Sequence, residues 1–352
     1  MLLHLLQQGR LPGCDWEIVF LEDGKMVAQA QALGVKTFVF PSGRLSQVPR
    51  YAATVFRLAA HLRRSRPDCI FGWMGKPHLY SGPSAILSGF PALWYQLGIP
   101  YMSNRMDRIT TLMPAKGIVA CSKAGADAQQ AMKPVRPTKI VYPGVELERF
   151  DLKKLPSPSE SRRLLGLPET GKIIGIVGRL QRWKGLHTLI EAMPDILQYH
   201  PDTFAVLVGG EHTSEPEYPA YLQSRIDELG LQRQVLLAGM QGNVEQWMQA
   251  MDIVAHASDN EPFGIVIIEA MALGKPVIAG ANGGPTEIIT DGVNGFLTPY
   301  NDPGALAKAA LYYLDNREMA LKMGQAAQER AQNFSTSRYA RNLISAIGEL
   351  LE

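Results

Sequence analysis

Residues 258–276 read SDNEPFGIVIIEAMALGKP, a polar loop that runs into a short and almost wholly apolar helix. Gly264 lies where the loop enters the helix, and Gly274, followed by Pro276, lies where a helix ends. Between these two glycines the sequence is apolar on nearly every face except at Glu269, which indicates a buried helix.

Apolar runs of strand length precede and follow this helix, so the stretch reads as part of a βαβ unit. The same alternation of short apolar runs and longer helical segments continues along the chain, which predicts an α/β fold with doubly wound parallel sheets. The strands predicted in this way are Trp16–Leu21, Lys36–Phe40, Cys69–Trp73, Ala92–Gln96, Gly117–Ala120, Lys139–Tyr142, Lys172–Val177, Phe204–Val208, Gln234–Ala238, Asp252–His256, Pro276–Ala279 and Phe296–Thr298.

A chain of 352 residues is long enough for two hydrophobic cores at roughly 150 residues per domain. A Pro-Gly turn before Glu148 predicts Rossmann-like domains over residues 1–148 and 149–335, facing each other across a cleft. Residues 336–352 form a predicted helix whose apolar stripe, which includes Tyr339 and Leu343, should pack back on the first domain.

Three widely spaced cysteines, without a CxxC pair, argue against a disulfide framework or a zinc site and favour a reducing cytosol. The longest uncharged run, Pro77–Asn104, is interrupted by prolines and glycines and does not resemble a membrane span. We therefore expect a cytoplasmic protein.

Charge is unevenly distributed along the chain. Residues 1–150 contain 18 Lys and Arg against 9 Asp and Glu, a net charge of +9, whereas residues 151–352 contain 17 against 24, a net charge of −7. The basic half can attract an anionic glycan or the inner face of a membrane, although the two halves can equally attract each other. We expect no nucleic-acid partner.

A carboxylate inside an apolar helix needs hydrogen-bond donors, and the two hydroxyls of a ribose would suit Glu269. Glu261 lies eight residues earlier, and a continuous helix would separate the two carboxylates by about 12 Å. The N–H groups at the helix start would then lie between them, where phosphates bind. A buried ion pair between Glu269 and a Lys or Arg is the alternative interpretation.

The strand Lys172–Val177 is followed by GRLQRWKG at 178–185. Ligands of open α/β sheets bind at the carboxyl ends of the strands, so Arg179 and Lys184 should lie at that edge. Arginine binds phosphate through a two-pronged fork and lysine through a point charge. Both residues can also be ordinary solvated cations.

Taken together, Gly178-Arg179 with Lys184-Gly185, the Glu261–Glu269 pair inside EPFG…EAMALGKPV, and GGPTEIITDGVNG from Gly283 resemble glycosyltransferase family 4. The resemblance implies the GT-B fold and a retaining hexosyltransferase that uses a nucleotide diphosphate sugar without metal or other cofactor. It also implies a glycan or lipid-linked acceptor and a place in cell-envelope or exopolysaccharide synthesis. The chain contains no Asp-x-Asp sequence, the usual metal-binding motif of other transferases.

The resemblance also implies roles for individual residues. The catalytic set would comprise Arg179 and Lys184 on the donor diphosphate and Glu261 on the transferred sugar, while Glu269 would bind the ribose. The other donor-binding residues implied by the resemblance are Gly178, Met240, Gln241, Phe263, Gly264 and Ile265, with residues 239–242 beneath the nucleobase.

In the first domain, Lys76 and His78 follow a predicted strand and are candidates for the acceptor or sugar side, with Arg105 and Asp107 as weaker ones. A purely structural hydrogen bond at a helix start is an equally good interpretation of His78.

Two features depart from the family pattern. Leu97 occupies a position where many relatives have a histidine that reaches the donor sugar. Residues 1–8 read as a helix, whereas relatives begin with a strand and a glycine-rich turn, so we expect the first domain to be incomplete at its start.

The sequence leaves other functions to be distinguished from a transferase. These departures favour a donor-binding module without catalysis, whereas a nucleotide-sugar epimerase would need its own acid and base. A dehydrogenase is disfavoured because no predicted strand is followed by G-x-G-x-x-G.

Overall fold

The computed structural model describes residues 1–7 and 14–352 and divides the chain into two compact units. The first unit comprises residues 1–144 together with 336–352, and the second comprises residues 145–335. Each unit is an α/β structure of the Rossmann-like kind that the alternating pattern predicts, so the predicted fold class is confirmed.

The first unit contains six parallel strands and seven helices among the described residues. The strands are β1 Glu17–Phe20, β2 Lys36–Val39, β3 Ile70–Trp73, β4 Ala92–Gln96, β5 Gly117–Ala120 and β6 Thr138–Ile140. The helices are α1 Leu2–Gln7, α2 Lys25–Ala32, α3 Val48–Ser65, α4 Gly75–Ser88, α5 Arg105–Leu112, α6 Lys123–Gln130 and α15 Thr336–Leu351, where the number 15 reflects its place in the whole chain.

These strands form two separate sheets within the first unit. β1 pairs with β2, and β3, β4, β5 and β6 pair in that order. Apolar side chains of α3 and α4, including Val55 and Leu79, form a cluster that is contacted by Val19 of β1 and by Ile70 of β3. One helical layer therefore covers parts of both sheets.

Helix α15 packs on the four-stranded sheet of the same unit. Its Tyr339 ring lies 6.4 Å from the ring of Tyr95 on β4, and Leu350 occupies the space beside Gly117 on β5. Leu343 is completely buried. The C-terminal segment thus contributes core side chains to the unit that contains the first 144 residues.

The second unit is a single doubly wound parallel sheet covered by helices. Its strands are β7 Lys172–Val177, β8 Thr203–Val208, β9 Val235–Gly239, β10 Ile253–His256, β11 Val277–Gly280 and β12 Phe296–Thr298. Its helices are α7 Pro158–Leu165, α8 Leu186–Tyr199, α9 Tyr218–Glu228, α10 Val244–Ala250, α11 Ile265–Ala272, α12 Pro285–Ile288, α13 Pro303–Asp315 and α14 Arg317–Ala331.

Strand order in this sheet is β12-β11-β10-β7-β8-β9. The chain moves from β7 to β8 and β9 on one side, and then to β10, β11 and β12 on the other. The direction of winding therefore changes between β7 and β10, and such a switch point opens a crevice at the carboxyl ends of the two strands.

The predicted strands match the observed ones within one or two residues because strands covered by helices on both faces are continuously apolar. The side chains of Ile174, Ile176 and Leu207, for example, are at most 1% exposed. No helix among the described residues has both the length and the apolarity required to cross a bilayer.

Replacing Leu343 by alanine should destabilise the first unit by about 2–5 kcal/mol, because it leaves a cavity beneath α15. The neighbouring Asn342 is exposed, and its replacement by alanine should change stability by less than about 0.5 kcal/mol. Hydrogen–deuterium exchange should show faster exchange in β4 and β5 of the Leu343→Ala variant and unchanged exchange in β7 and β8. Equal loosening of both units would contradict this assignment of α15.

Candidate functional site

The candidate site lies within the second unit, at the carboxyl ends of the strands on both sides of the switch point. Four loops meet there, and each follows a different strand. These loops comprise residues 178–185 after β7, 209–211 after β8, 240–243 after β9 and 257–264 after β10.

Glycines allow the backbones of these loops to approach each other. A Cβ atom at Gly209 would lie 1.7 Å from the carbonyl oxygen of Gly178, and one at Gly185 would lie 2.0 Å from that of Ala257. No real side chain fits at such distances. The Gly178-Arg179 and Lys184-Gly185 pairs are therefore held against their neighbours by main-chain contact as well as by side-chain packing.

Lys184, Glu261 and His256 form a compact charged cluster at this edge. The Lys184 Nζ lies 2.5 Å from Glu261 Oε2, and the His256 Nε2 lies 3.2 Å from the same oxygen. The fold thus brings Lys184 and Glu261 into contact, although 77 residues separate them in sequence.

Burial alone would raise the pKa of Glu261, but the hydrogen bond and charge of His256, together with the Lys184 ammonium, lower that pKa to about 2. Glu261 is 9% exposed, so few water molecules screen these interactions. The carboxylate is therefore ionised at neutral pH and acts only as a hydrogen-bond acceptor.

A pair of glycines fixes the backbone at Glu261. The Gly284 amide donates to the Glu261 carbonyl oxygen at 2.8 Å, and a Cβ atom at Gly283 would lie 2.3 Å from that oxygen. Asn260, immediately before Glu261, has a φ of 41°, which is uncommon outside glycine. The sequence GGPTE from Gly283 therefore supports the loop that carries Glu261.

Helix α11 begins at Ile265, and Gly264 precedes it with a φ of 107°. Glu261 lies in the preceding loop, so the spacing of about 12 Å expected for a continuous helix does not apply, and that part of the sequence argument is wrong. The helix start itself lies where it was expected. The Ile267 amide donates to the Gly264 carbonyl oxygen at 3.0 Å. The N–H groups that precede it in the helix have no intrahelical acceptor, which makes this end suitable for an anion.

Glu269 lies on α11 and keeps some solvent-accessible surface, although protein surrounds most of it. Burial raises the pKa of Glu269 to about 7, against the smaller opposing effect of the Arg149 charge. Arg149 itself binds Glu245, with Nε 2.9 Å from Oε2, and donates to the Gly242 carbonyl oxygen. Among the described residues no side chain forms an ion pair or hydrogen bond with the Glu269 carboxylate, so it can accept hydrogen bonds from a ligand.

Other predicted donor residues border the same edge. Arg179 is exposed, and Met240 is 80% exposed and packs beside Gly210 of the loop after β8. Gln241 donates to the Ala238 carbonyl oxygen at 2.7 Å and helps to shape the loop after β9. Phe263 is buried, whereas Ile265 is half-buried at the helix start.

The candidates of the first unit lie at the starts of two helices, Lys76 and His78 on α4 and Arg105 and Asp107 on α5. His78 is completely buried, its ring is stacked at 4.9 Å on Trp94, and burial lowers its pKa to about 4. This burial favours the structural interpretation of His78, and its acceptor- or sugar-side role stays a prediction. Lys76 is exposed and paired with Glu22.

Arg105 and Asp107 occupy the exposed start of α5. Asp107 accepts a hydrogen bond from the Tyr101 amide at 2.9 Å and so shapes its own loop. Arg105 is exposed.

His256 and Arg149 are site residues that the sequence analysis missed. His256 was assigned only to the end of a predicted strand, and its position at the carboxyl end of β10 was the available signal. Arg149 lies in the short 3-10 helix Leu147–Phe150, outside any predicted strand or helix of the second unit. Nothing in its local sequence indicates that it lies near Glu269.

Chemically, the site combines an exposed arginine, a lysine, a helix start and two carboxylates. Cations and helix N–H groups bind phosphate, and carboxylates accept hydrogen bonds from hydroxyl groups. The arrangement therefore suits a ligand in which phosphate joins hydroxyl-rich groups. Among residues 1–7 and 14–352, no group of three or more His, Cys, Asp or Glu side chains could hold a metal ion.

Residues 158–330 match the family model described as glycosyl transferases group 1. The D-inositol 3-phosphate glycosyltransferase of Corynebacterium urealyticum is 36% identical to this chain over 209 residues, which are 58% of this chain and 49% of that protein. The chain spans about half the length of the curated relatives it matches.

Solved structures resemble the chain over nearly its whole length. HepE of Anabaena in complex with UDP is 26% identical, and the likeness covers 99% of this chain and 95% of HepE with a TM-score of 0.86. The same protein in complex with UDP-glucose is 27% identical over 95% of this chain and 91% of HepE, with a TM-score of 0.83. The fold is thus that of the GT-B glycosyltransferases, as the family resemblance implies.

Glu269→Gln should stabilise the folded protein at pH 8 by about 1–3 kcal/mol, because the ionised carboxylate is partly buried without a partner. The pKa of Glu269 is 4.5 in the unfolded chain and about 7 in the folded protein. The free energy of unfolding therefore falls as the pH rises from 4.5 to about 7. The advantage of the Gln variant should therefore shrink at pH 5.5. Denaturant titrations at both pH values measure this difference.

The exposed Glu217 lies in the same unit and provides the control, since Glu217→Gln should leave stability unchanged at both pH values. A Glu269→Gln variant that is less stable than the unaltered chain at pH 8 would show that the carboxylate has a stabilising partner.

Proposed function

We propose that this protein is a glycosyltransferase that takes a sugar from a nucleotide diphosphate donor bound at the carboxyl edge of its second unit. The proposal depends most on one observation: Arg179, Lys184 and the start of α11 lie at the same edge as Glu261 and the unpartnered Glu269. The cations suit a diphosphate, and the two carboxylates can accept hydrogen bonds from the hydroxyl groups of a sugar at each end of it.

In the proposed complex Glu269 accepts hydrogen bonds from the ribose, and Arg179 and Lys184 bind the diphosphate. Glu261 accepts a hydrogen bond from a hydroxyl of the transferred sugar, and residues 239–242 lie beneath the base. The complexes of HepE with UDP and with UDP-glucose support a uridine donor over a guanosine donor.

We further propose that the transfer retains anomeric configuration and needs no metal or other cofactor. The bond between the sugar C1 and the diphosphate breaks, and the acceptor oxygen bonds to C1 from the same face. The departing phosphate takes the acceptor proton. Arg179, Lys184 and the helix start would stabilise the charge that develops on the diphosphate, which is the main catalytic contribution expected of this site.

The proposed acceptor is an anionic or lipid-linked glycan. One curated relative is named for D-inositol 3-phosphate, and residues 1–150 of this chain have a net charge of +9. A basic surface attracts phosphorylated acceptors and anionic membranes. A cytoplasmic role in cell-envelope or exopolysaccharide synthesis, at the inner face of the membrane, completes the proposal.

A donor panel tests this function. The protein is incubated with UDP- and GDP-linked sugars in the presence of chelator, and nucleotide release is followed with and without glycan acceptors. Turnover of one donor supports the proposal, and NMR of the product anomer tests retention. Binding without turnover would favour a donor-binding module, and interconversion of free donor sugars would favour an epimerase.

Arg179→Ala should lower kcat/KM for the donor roughly 100- to 1000-fold, because the developing diphosphate charge loses a cation. Stability should barely change, since Arg179 is exposed. Arg233→Ala removes an exposed arginine after α9 in the same unit and should leave kcat/KM unchanged. Steady-state kinetics with the best donor compare the two variants, and equal activity in both would argue against the proposed role of Arg179.

Lys184→Ala is less informative than Arg179→Ala. It would remove one of two groups that neutralise the buried Glu261, and breaking a buried ion pair costs about 3–5 kcal/mol. Loss of activity in this variant would therefore combine lost phosphate binding with lost folding.

A further inference from the structure

His256 contacts Glu261 but has no role in the proposed transfer chemistry. It ends β10, is 3% exposed, and places Nε2 3.2 Å from Glu261 Oε2. Nε2 also lies 3.3 Å from the Ser258 hydroxyl. The other ring nitrogen, Nδ1, is buried and has no hydrogen-bond partner among the described residues.

The neighbouring carboxylate indicates which ring nitrogen acts as the donor toward it. The ionised Glu261 carboxylate has no proton to donate, so a hydrogen bond between the two side chains requires that the proton lie on Nε2. The Nε2–H then faces both Glu261 Oε2 and the Ser258 hydroxyl oxygen. An unpartnered buried nitrogen at Nδ1 lowers stability, which makes a role confined to folding a poor explanation for a histidine here.

The two Glu261 oxygens differ in their surroundings. Lys184 and His256 both bind Oε2. Oε1 accepts no hydrogen bond from any described residue. One oxygen of the carboxylate is thus held by the protein, and the other can accept a hydrogen bond from a hydroxyl of a ligand.

Lys184 serves two anions in the proposed function, Glu261 and the donor diphosphate. Its long side chain can turn toward phosphate, whereas His256 is a short, buried side chain fixed on a strand. When Lys184 binds the diphosphate, His256 is the side chain that still holds Oε2.

We propose that His256 is a positioning residue for sugar recognition: it holds Glu261 by Oε2, so that Oε1 stays available to a hydroxyl of the transferred sugar while Lys184 binds the diphosphate. This inference rests on the proposed function. It predicts that His256 contributes to the affinity for the sugar part of the donor and contributes little to the affinity for the nucleotide.

Calorimetric titration with UDP and with UDP-glucose tests the inference. If the donor panel described above selects a guanosine donor, GDP and GDP-mannose replace them. The sugar-dependent affinity is the ratio of the Kd for UDP to the Kd for UDP-glucose. In His256→Leu this ratio should fall on the order of tenfold, while the Kd for UDP itself stays within about twofold. His256→Gln, whose amide supplies an N–H to Oε2, should recover most of that ratio. kcat should follow the same order.

His200 offers a matched control, because its Nε2 lies 2.8 Å from the Asp315 carboxylate in the same unit. His200→Leu should change neither Kd. Retained sugar selectivity in His256→Leu, or an equal loss of UDP and UDP-glucose binding, would overturn the inference alone. A glutamine variant as impaired as the leucine variant would also overturn it.

If leucine at position 256 prevents folding, the glutamine variant decides: a retained Kd ratio supports the inference and a lost one contradicts it. Failure of the unaltered chain to bind any nucleotide would instead overturn the proposed function, and this inference with it. Lack of nucleotide binding by the unaltered chain thus contradicts the proposed function. An unexpected Kd ratio in the His256 variants alone contradicts only the inference.

Discussion

Close main-chain contact at the carboxyl edge of the second sheet is the constraint on which the site depends. At Gly209, Gly185 and Gly283 the neighbouring carbonyl oxygen lies 1.7–2.3 Å from where a Cβ atom would be. These contacts bring together the loops after β7, β8, β10 and β11. The Lys184–Glu261 ion pair forms because the loops that carry its partners are held close together. Side-chain chemistry at the site is thus a consequence of backbone packing.

The two carboxylates of the site have opposite electrostatic surroundings. Glu261 is neutralised by a lysine and a histidine, so its pKa is low, whereas Glu269 has no partner and its pKa is raised. The first is already organised by the protein. The second carries an unfavourable charge that lowers the stability of the folded protein. In the proposed complex a ribose hydroxyl would donate to this carboxylate, so the cost in stability favours donor binding.

The fold was predictable because parallel strands covered on both faces leave continuous apolar runs. The carboxyl end of β7 indicated the edge of the sheet at which Lys184 meets Glu261. The helical spacing of Glu261 and Glu269 failed because Gly264, at a φ of 107°, starts the helix after Glu261. The burial of His78 could not be predicted because sequence does not reveal which face of a helix start is buried.

His256 shows a further limit of sequence reasoning. Local pattern assigns it correctly to a strand end, but its partner Glu261 lies beyond a turn with an unusual backbone conformation at Asn260. The distance between the two side chains depends on that turn and on the Gly283-Gly284 contact. Neither is visible in the spacing of the residues alone.

The separate sheets of the first unit have a practical consequence for handling the protein. Among the described residues, four of that unit's six strands are edge strands, β1, β2, β3 and β6, against two of six in the second unit. Edge strands expose backbone groups that can pair with another chain, and β3, with the sequence Ile-Phe-Gly-Trp, has no charge or proline to discourage pairing. Self-association at high concentration would therefore begin in the first unit, while the candidate site in the second remains intact.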